Sequence, residues 1–480
     1  MPEELSMTDT PSTGEKAPET GAISDFGIDT TSKSAGEALR EYWAKVRGGD
    51  FGSLPALLGL LVLVIFFSAQ SETFLTLGNI ANLLAQGAGI VIIAMGLVFV
   101  LLLGEIDLSA GTASGVAASV MALHLVKSGN MLSAFGDGVF YITCAFMVVA
   151  AVLSALLRIW PGVVLPVVGL VILLLGVPPN AWIEMLLALC IGTSIGSLTG
   201  YLVAKVGIPS FVVTLALFLA WGGVVLKYIG QGGTLPIRND KILFDVANGN
   251  LNTVNSWILF LIAAGGYGAV VLGRHFTRLR KGLVAQPTPL VLIKVAAVVV
   301  LGAAATLLLT QNRAVNPTVT ILGVPYVVPI VLALLTLGTF VLDRTQYGRH
   351  IYAVGGNAEA ARRAGINVAK IRMSVFVICS SVAALGAIVY SSKVGSVAPD
   401  SGGGNTLLFA VGAAVIGGTS LFGGKGRLRD AVIGGAVIAI ISNGLGLLKQ
   451  EAAVVSIVTG LVLLLAASVD ALSRRRSAAS

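Results

Sequence analysis

Apolar runs long enough to cross a bilayer recur along this chain from residue 51 to residue 470. That recurrence leaves the chain few ways to fold. A hydrocarbon core of about 30 Å takes roughly 20 apolar residues of helix to cross. Inside lipid, every backbone polar group must be satisfied within a helix or a closed barrel. Barrel strands would alternate over about ten residues, whereas these blocks are solidly apolar. The chain therefore reads as an all-α, polytopic membrane protein. Its charged fraction of 11% in 480 residues falls well below the ~25% of soluble domains.

Crossings are expected near 53–70, 87–103, 109–126, 139–157, 161–176, 181–204, 211–228, 256–273, 289–310, 323–342, 374–392, 404–420, 427–447 and 452–470. This is about 14 apolar segments, for 12–14 crossings. The short stretch 161–176 and the Gly-rich stretch 404–420 suit either a crossing or a re-entrant segment buried in protein. The amphipathic stretch 74–86 is expected at the outer surface. An apolar run broken by a Gly-bearing turn occurs at 87–126 and again at 404–447, an echo of the repeated halves of transporters.

The net charge of +8 is not spread as a nucleic-acid surface would need. Basic residues gather at segment edges: Arg274, Arg278, Arg280 and Lys281; then Arg344, Arg349, Arg362, Arg363, Lys370 and Arg372; then Arg474, Arg475 and Arg476. The positive-inside rule places these clusters, and both termini, in the cytoplasm. Residues 1–38 are polar and read as a disordered cytoplasmic tail without the apolar core of a cleavable signal. Over 39–50, Leu39, Tyr42, Trp43 and Val46 fall at helical spacing beside Arg40, Lys45 and Arg47. An interfacial helix and an aromatic-anchored lead-in both fit. Cys144, Cys190 and Cys379 sit in apolar segments and read as buried small side chains. His124, His275 and His350 are isolated in sequence, so no metal ligand set is expected.

The transmembrane domain, 51–473, carries four organised polar segments, and 474–480 forms the C-terminus. At 104–111, GEIDLSAG sets Glu105 and Asp107 in an apolar stretch. They suit either a hairpin turn at the cytoplasmic edge, capped by Asp107 or Ser109, or a substrate contact. At 207–214, GIPSFVVT starts a helix with Pro209 in its first turn; Phe211 and Thr214 could meet a solute by stacking and hydrogen bonding, or pack in the core. At 415–426, VIGGTSLFGGKG fails the Walker spacing, because Thr419 stands where the first Gly is needed and Gly426 follows Lys425. Ser442 and Asn443 bring polar groups into the following helix.

The fourth segment, the loop at 343–373, is basic and locally ordered. Asn357 suits an N-cap, Glu359 the first helical turn and Gly365 a left-handed close. Glu359 and Arg363 are spaced for an ion pair. The expectation is a helix of about two turns, with Ala360, Ala361 and Ala364 as a small apolar face for a groove.

Together these segments resemble the membrane permeases of bacterial ATP-binding-cassette importers for monosaccharides, the ribose/xylose/galactose type. GEIDLSAG, GIPSFVVTLALF, GRHIYAVGGNAEAARRAGI and VIGGTSLFGG occur in that family's order across 74–470. Within the family the phrasing VGIPSFVVTLA, Glu105 and the extra apolar pair at 289–342 are most similar to the D-xylose type. The stretch 131–180 departs from the pattern and reads as an inserted helical hairpin. The resemblance implies an ABC importer permease fold in a bacterial inner membrane. It implies a second permease copy, surrounding lipid, an extracellular or periplasmic sugar-binding protein and a cytoplasmic ATPase. ATP and Mg would sit on that ATPase, so this chain would carry no cofactor, metal or catalytic residue. Asn357, Glu359, Ala360, Ala361, Arg363 and Gly365 become the coupling residues; Glu105, Asp107, Ser109, Phe211, Thr214 and Asn443 become candidates for the path. Two other classes remain open on the residues alone. An ion-coupled secondary transporter would need more intramembrane ionisable groups. A lipid-acting enzyme would need a second acidic cluster beside Glu105 and Asp107.

Overall fold

The computed structural model describes residues 53–479 apart from 284, 315 and 317, together with Gly36 and Arg40. The expected tail 1–38 and interfacial helix 39–50, those two positions apart, lie outside the described residues. So do the side chains of Arg474, Arg475 and Arg476.

In chain order the first helices are α1 (Leu54–Gln70), α2 (Leu77–Leu102), α3 (Ala110–Val126), the short α4 (Met131–Phe135), α5 (Asp137–Leu156), α6 (Pro161–Leu175) and α7 (Ala181–Tyr201), which runs on into a wider π turn at Leu202–Val206. Then come α8 (Ser210–Ile229), strand β1 (Leu235–Pro236), α9 (Lys241–Asn248), α10 (Thr253–Arg280), α11 (Thr288–Leu309) and α12 (Val327–Arg344). The last third holds α13 (Gln346–Gly356), α14 (Ala358–Arg363), α15 (Val368–Val394), β2 (Ser396–Val397), α16 (Gly404–Ile416), α17 (Leu428–Leu447) and α18 (Ala452–Ala479). Among the described residues, nine helices are long and apolar enough to cross a membrane, and five apolar helices are shorter. Nine helices thus meet the length and composition of a crossing by themselves, and the 12–14 crossings that the apolar segments suggested would need some of the shorter helices as well.

The stretch 74–86, expected at the outer surface, is continuous with the crossing expected at 87–103, because α2 runs unbroken for 26 residues from Leu77. No breaker separates the two parts, and the polar groups that made the stretch look amphipathic are paired inward. Asn79 Nδ2 donates to Asn443 Oδ1 at 2.9 Å, and Asn443 Nδ2 donates to Gln86 Oε1 at 3.3 Å.

The core is centred on α15, which packs against both α2 and α7. Phe376, Ile93, Met95, Leu97 and Leu101 are all buried there. Backbones come close enough that a Cβ on Gly196 would stand 2.6 Å from the Phe376 carbonyl oxygen. This is the small-residue packing that lets helices associate without a hydrophobic drive. The stretch expected as an inserted hairpin forms α5 and α6, packed on each other and on α7. Ser154 Oγ donates to Ser197 Oγ at 2.8 Å, and Thr143 Oγ1 and Tyr228 Oη share a 2.7 Å bond.

The bundle has two polar ends. At one, β1 pairs antiparallel with β2, Leu235 opposite Val397. Asp240 caps α9 through the Leu243 amide, and Arg313 Nη1 donates to the Leu309 and Gly323 carbonyls. At the other end lie the basic residues of 274–281 and 344–372.

Candidate coupling and translocation site

The basic loop contains more helix than the sequence indicated. Thr345 caps α13, its Oγ1 accepting from the Gly348 amide at 3.1 Å. Ile351 and Val354 anchor α13 in the core. Tyr347 Oη shares a 2.8 Å bond with Ser374 Oγ, and Tyr352 Oη donates to the Gly426 carbonyl at 2.9 Å. Burial pushes the Tyr347 phenol up to about 12, with the Ser374 bond acting the other way. Both tyrosines thus bolt α13 to neighbouring segments.

Then comes the short helix. Asn357 Oδ1 accepts from the Ala360 amide at 2.9 Å, α14 runs Ala358–Arg363, and Gly365 closes it at φ +84°. Glu359 pairs with Arg362 at 2.9 Å and with Arg363 at 3.5 Å. These pairs are well exposed and add little to stability, so their charges remain accessible. The alanine face differs from expectation. Ala361 is buried against its own chain, its carbonyl accepting from the Ile366 amide, while Ala360 and Ala364 stay exposed. A six-residue helix cannot present three such alanines on one free side while also anchoring itself.

All four polar segments meet beside α14, around the turn after α2. The Gly424 amide donates to the Leu102 carbonyl at 2.9 Å. A Cβ on Gly355 would stand 1.8 Å from that same carbonyl oxygen, so only glycine lets α13 seat there. Glu105 pairs with Arg372 of α15 at 3.1 Å, a charge contact rather than a hydrogen bond. The Ile106 amide donates to Ser210 Oγ at 3.3 Å, and Thr214 Oγ1 donates to the Ile106 carbonyl at 3.2 Å. Asp107 Oδ1 accepts from the Ser109 amide at 2.9 Å and from Ser109 Oγ at 2.7 Å, which orders the start of α3. Glu105 meets α15 at Arg372, whereas Asp107 meets it at Cys379. Seven helical residues correspond to about 10 Å, so the turn dips into the bundle instead of resting at its edge.

The Gly-rich loop 417–427 cups backbone rather than an anion. Its own Thr419 Oγ1 and Arg427 amide both donate to Asp430 Oδ2, at 3.3 and 2.7 Å. Among the described residues no group of three or more His, Cys, Asp or Glu side chains could hold a metal.

The structure brings Glu105, Asp107, Ser109 and Thr214 together at this turn, each bonded to protein. It does not bring Phe211 or Asn443 to them. Phe211 is exposed on α8, and Asn443 bonds Asn79 and Gln86 across the α2–α17 contact. Two features escaped the sequence reading. A cavity of about 10 Å³ lies between α2, α3, α15 and the loop after β2, lined by Ser114, Tyr390, Ser391, Ser401 and Thr406. It has room for about one water. The hydroxyls in it are spread over nearly 300 residues and carry no local signature. His124 is not isolated: its Nδ1 lies 2.7 Å from Glu184 Oε1, both side chains fully buried.

A family model described as branched-chain amino acid transport system / permease component matches residues 79–467. The chain is 31% identical over 425 residues to the xylose transport system permease protein of Haemophilus influenzae, covering 88% of this chain and 96% of that one. It is 32% identical to the xylose transport system permease protein of Escherichia coli strain K12, covering 87% and 91%. It is 28% identical to the ribose import permease protein of the same strain, covering 86% and 92%. No solved structure matches the chain.

Proposed function

The chain belongs to the family described as branched-chain amino acid transport system / permease component, and from that premise we propose that it is the membrane permease subunit of an ATP-driven importer of D-xylose. The two relatives named for xylose transport support that sugar; ribose, galactose or another monosaccharide is the alternative within the same family. Hydrolysis of ATP would take place on a separate ATPase, and a sugar-binding protein would deliver the solute from outside. A second copy of this chain would complete the path, with both termini and the basic end in the cytoplasm.

One observation carries the reading. The exposed α14, with Asn357, Glu359, Ala360, Arg363 and Gly365 turned outward, follows directly on α13, whose Gly355 packs on the Leu102 carbonyl at the turn holding Glu105 and Asp107. A partner gripping α14 therefore acts through α13 on the turn where all four segments converge. Ala361 serves this surface by anchoring α14 from beneath. A partner shifts a conformational balance only through different contacts with the two states, and the Glu105–Arg372 and Leu102–Gly424 contacts are the ones poised to change. Glu105, Asp107, Ser109 and Thr214 would reach the sugar once that turn opens. Phe211 and Asn443 would flank the route.

Paired uptake and pull-down assays with Glu359→Lys and Gly365→Arg test the coupling role. Both variants should insert, Glu359→Lys melting as the parent does and Gly365→Arg losing about 1–2 kcal/mol to its left-handed backbone, yet both should lose ATPase association and sugar uptake together. Full association and uptake in both would remove the coupling assignment. Reconstituted uptake of labelled xylose, ribose and galactose, each with its binding protein, tests the sugar. Failure to move xylose would retire that substrate and leave the permease reading intact.

A further inference from the structure

We propose that the basic cavity at the ends of α10, α11 and α12 is a binding site for the headgroup of an anionic phospholipid. The cavity has a volume of about 780 Å³ and is lined by Arg274, Arg278 and Arg344, with Gln286 and Thr277 between them. That volume lies within the roughly 300–1,000 Å³ typical of small-ligand sites. None of the lining residues is acidic, and among the described residues no ion pair involves these three arginines.

A topological excess of cations would spread them along the membrane edge. Here three guanidinium groups from two helices surround one concavity. Arginine forks match phosphate oxygens two at a time, so a phosphodiester is the chemistry this arrangement fits. The wall is fixed, because His275 is buried and its Nε2 bonds Thr288 Oγ1 at 3.0 Å, tying the end of α10 to the start of α11. Lys294 adds another cation at the rim, its Nζ donating to Gln286 Oε1 at 2.9 Å.

The apolar surroundings select a lipid over a free anion. Val270 and Val291 line the cavity, and Leu292, Ile293, Leu337 and Phe340 stand exposed on α11 and α12. Acyl chains would lie along those faces while the headgroup sits among the arginines. Basic pockets between membrane helices on the cytoplasmic side hold anionic headgroups in this way.

The test is native mass spectrometry and thermal unfolding of the purified full-length chain, with phosphatidylglycerol, phosphatidylcholine or inorganic phosphate added. Phosphatidylglycerol should be retained at one saturable copy per chain and raise Tm, and phosphatidylcholine should do neither. The R274Q/R278Q/R344Q variant should weaken that retention by about a hundredfold, at roughly one factor of five per lost cation. Its Tm in phosphatidylcholine should stay unchanged, and the R274K/R278K/R344K variant, which keeps the charge and loses the forks, should bind between the parent and the glutamine variant. Equal protection by phosphatidylcholine, or undiminished phosphatidylglycerol retention in the glutamine variant, would overturn the site. The same Tm rise from inorganic phosphate alone would overturn the lipid assignment.

Discussion

Two groups of helices in this molecule are alike in composition and unlike in surroundings. In α2, α7 and α15 the most apolar stretch has a mean hydropathy of 2.4, 1.7 and 2.1, and 78%, 72% and 67% of it is buried. In α10, α11 and α12 the values are 1.8, 2.5 and 1.9, yet 17%, 11% and 11% is buried. Hydropathy thus reports that a segment suits lipid and says nothing about whether protein or lipid surrounds it. Glycine placement carries that information. A Cβ on Gly96, Gly192, Gly196 or Gly200 would come within 2.8 Å of a carbonyl oxygen on α15, whereas one on Gly265, Gly266 or Gly273 of α10 would meet nothing within 4 Å.

The widest gap between the two groups should appear at the His124–Glu184 pair. Glu184→Leu strands a buried imidazole and should cost about 3–5 kcal/mol, while replacing both partners by Leu should restore most of it. Thermal unfolding in detergent reads both; equal loss in the single and double variants would show that the pair is not what matters there. Next come the glycines. Gly196→Val should destabilise by about 1–3 kcal/mol through overpacking, against about 0.5 kcal/mol or less for Gly266→Val. Similar losses at the two positions would collapse the distinction between buried and lipid-facing helices. A double-mutant cycle on Glu105→Gln and Arg372→Gln should give a coupling of about 1 kcal/mol or less, as partly exposed pairs do. Its larger effect should fall on uptake, since the contact ties the turn to α15. A similarly small change is expected for Asn443→Ala, about 0.6 kcal/mol, the typical value of an interhelical hydrogen bond in a membrane. A loss several times greater would mark the Asn79–Gln86–Asn443 cluster as a structural keystone.

What was legible in the sequence is what the chain states locally. The apolar blocks all fall on helices, and the Asn357 cap with its Gly365 close reads directly from adjacent residues because capping is a contact between neighbours. The rest is tertiary. Glu105 meets Arg372, Asn79 meets Asn443 and His124 meets Glu184, partners too far apart in the chain for any window to join. The same limit hides the inward pairing within the 74–86 segment, whose polar side chains resemble surface groups until their partner on α17 is known. It also explains α13, whose core anchors, Ile351 and Val354, are two apolar residues in a basic loop.

α15 is one unbroken helix of 27 residues, about 40 Å long. It begins beside the exposed α14 and ends against β2, whose Val397 is hydrogen-bonded in register with Leu235. Mechanically it is a lever arm with its handle at one membrane face and its tip at the other. A tilt of only 5° about its handle would carry the tip by about 3.5 Å, more than the reach of any hydrogen bond there. On the coupling role proposed for α14, a small rotation there would reach the far end of the bundle amplified along α15.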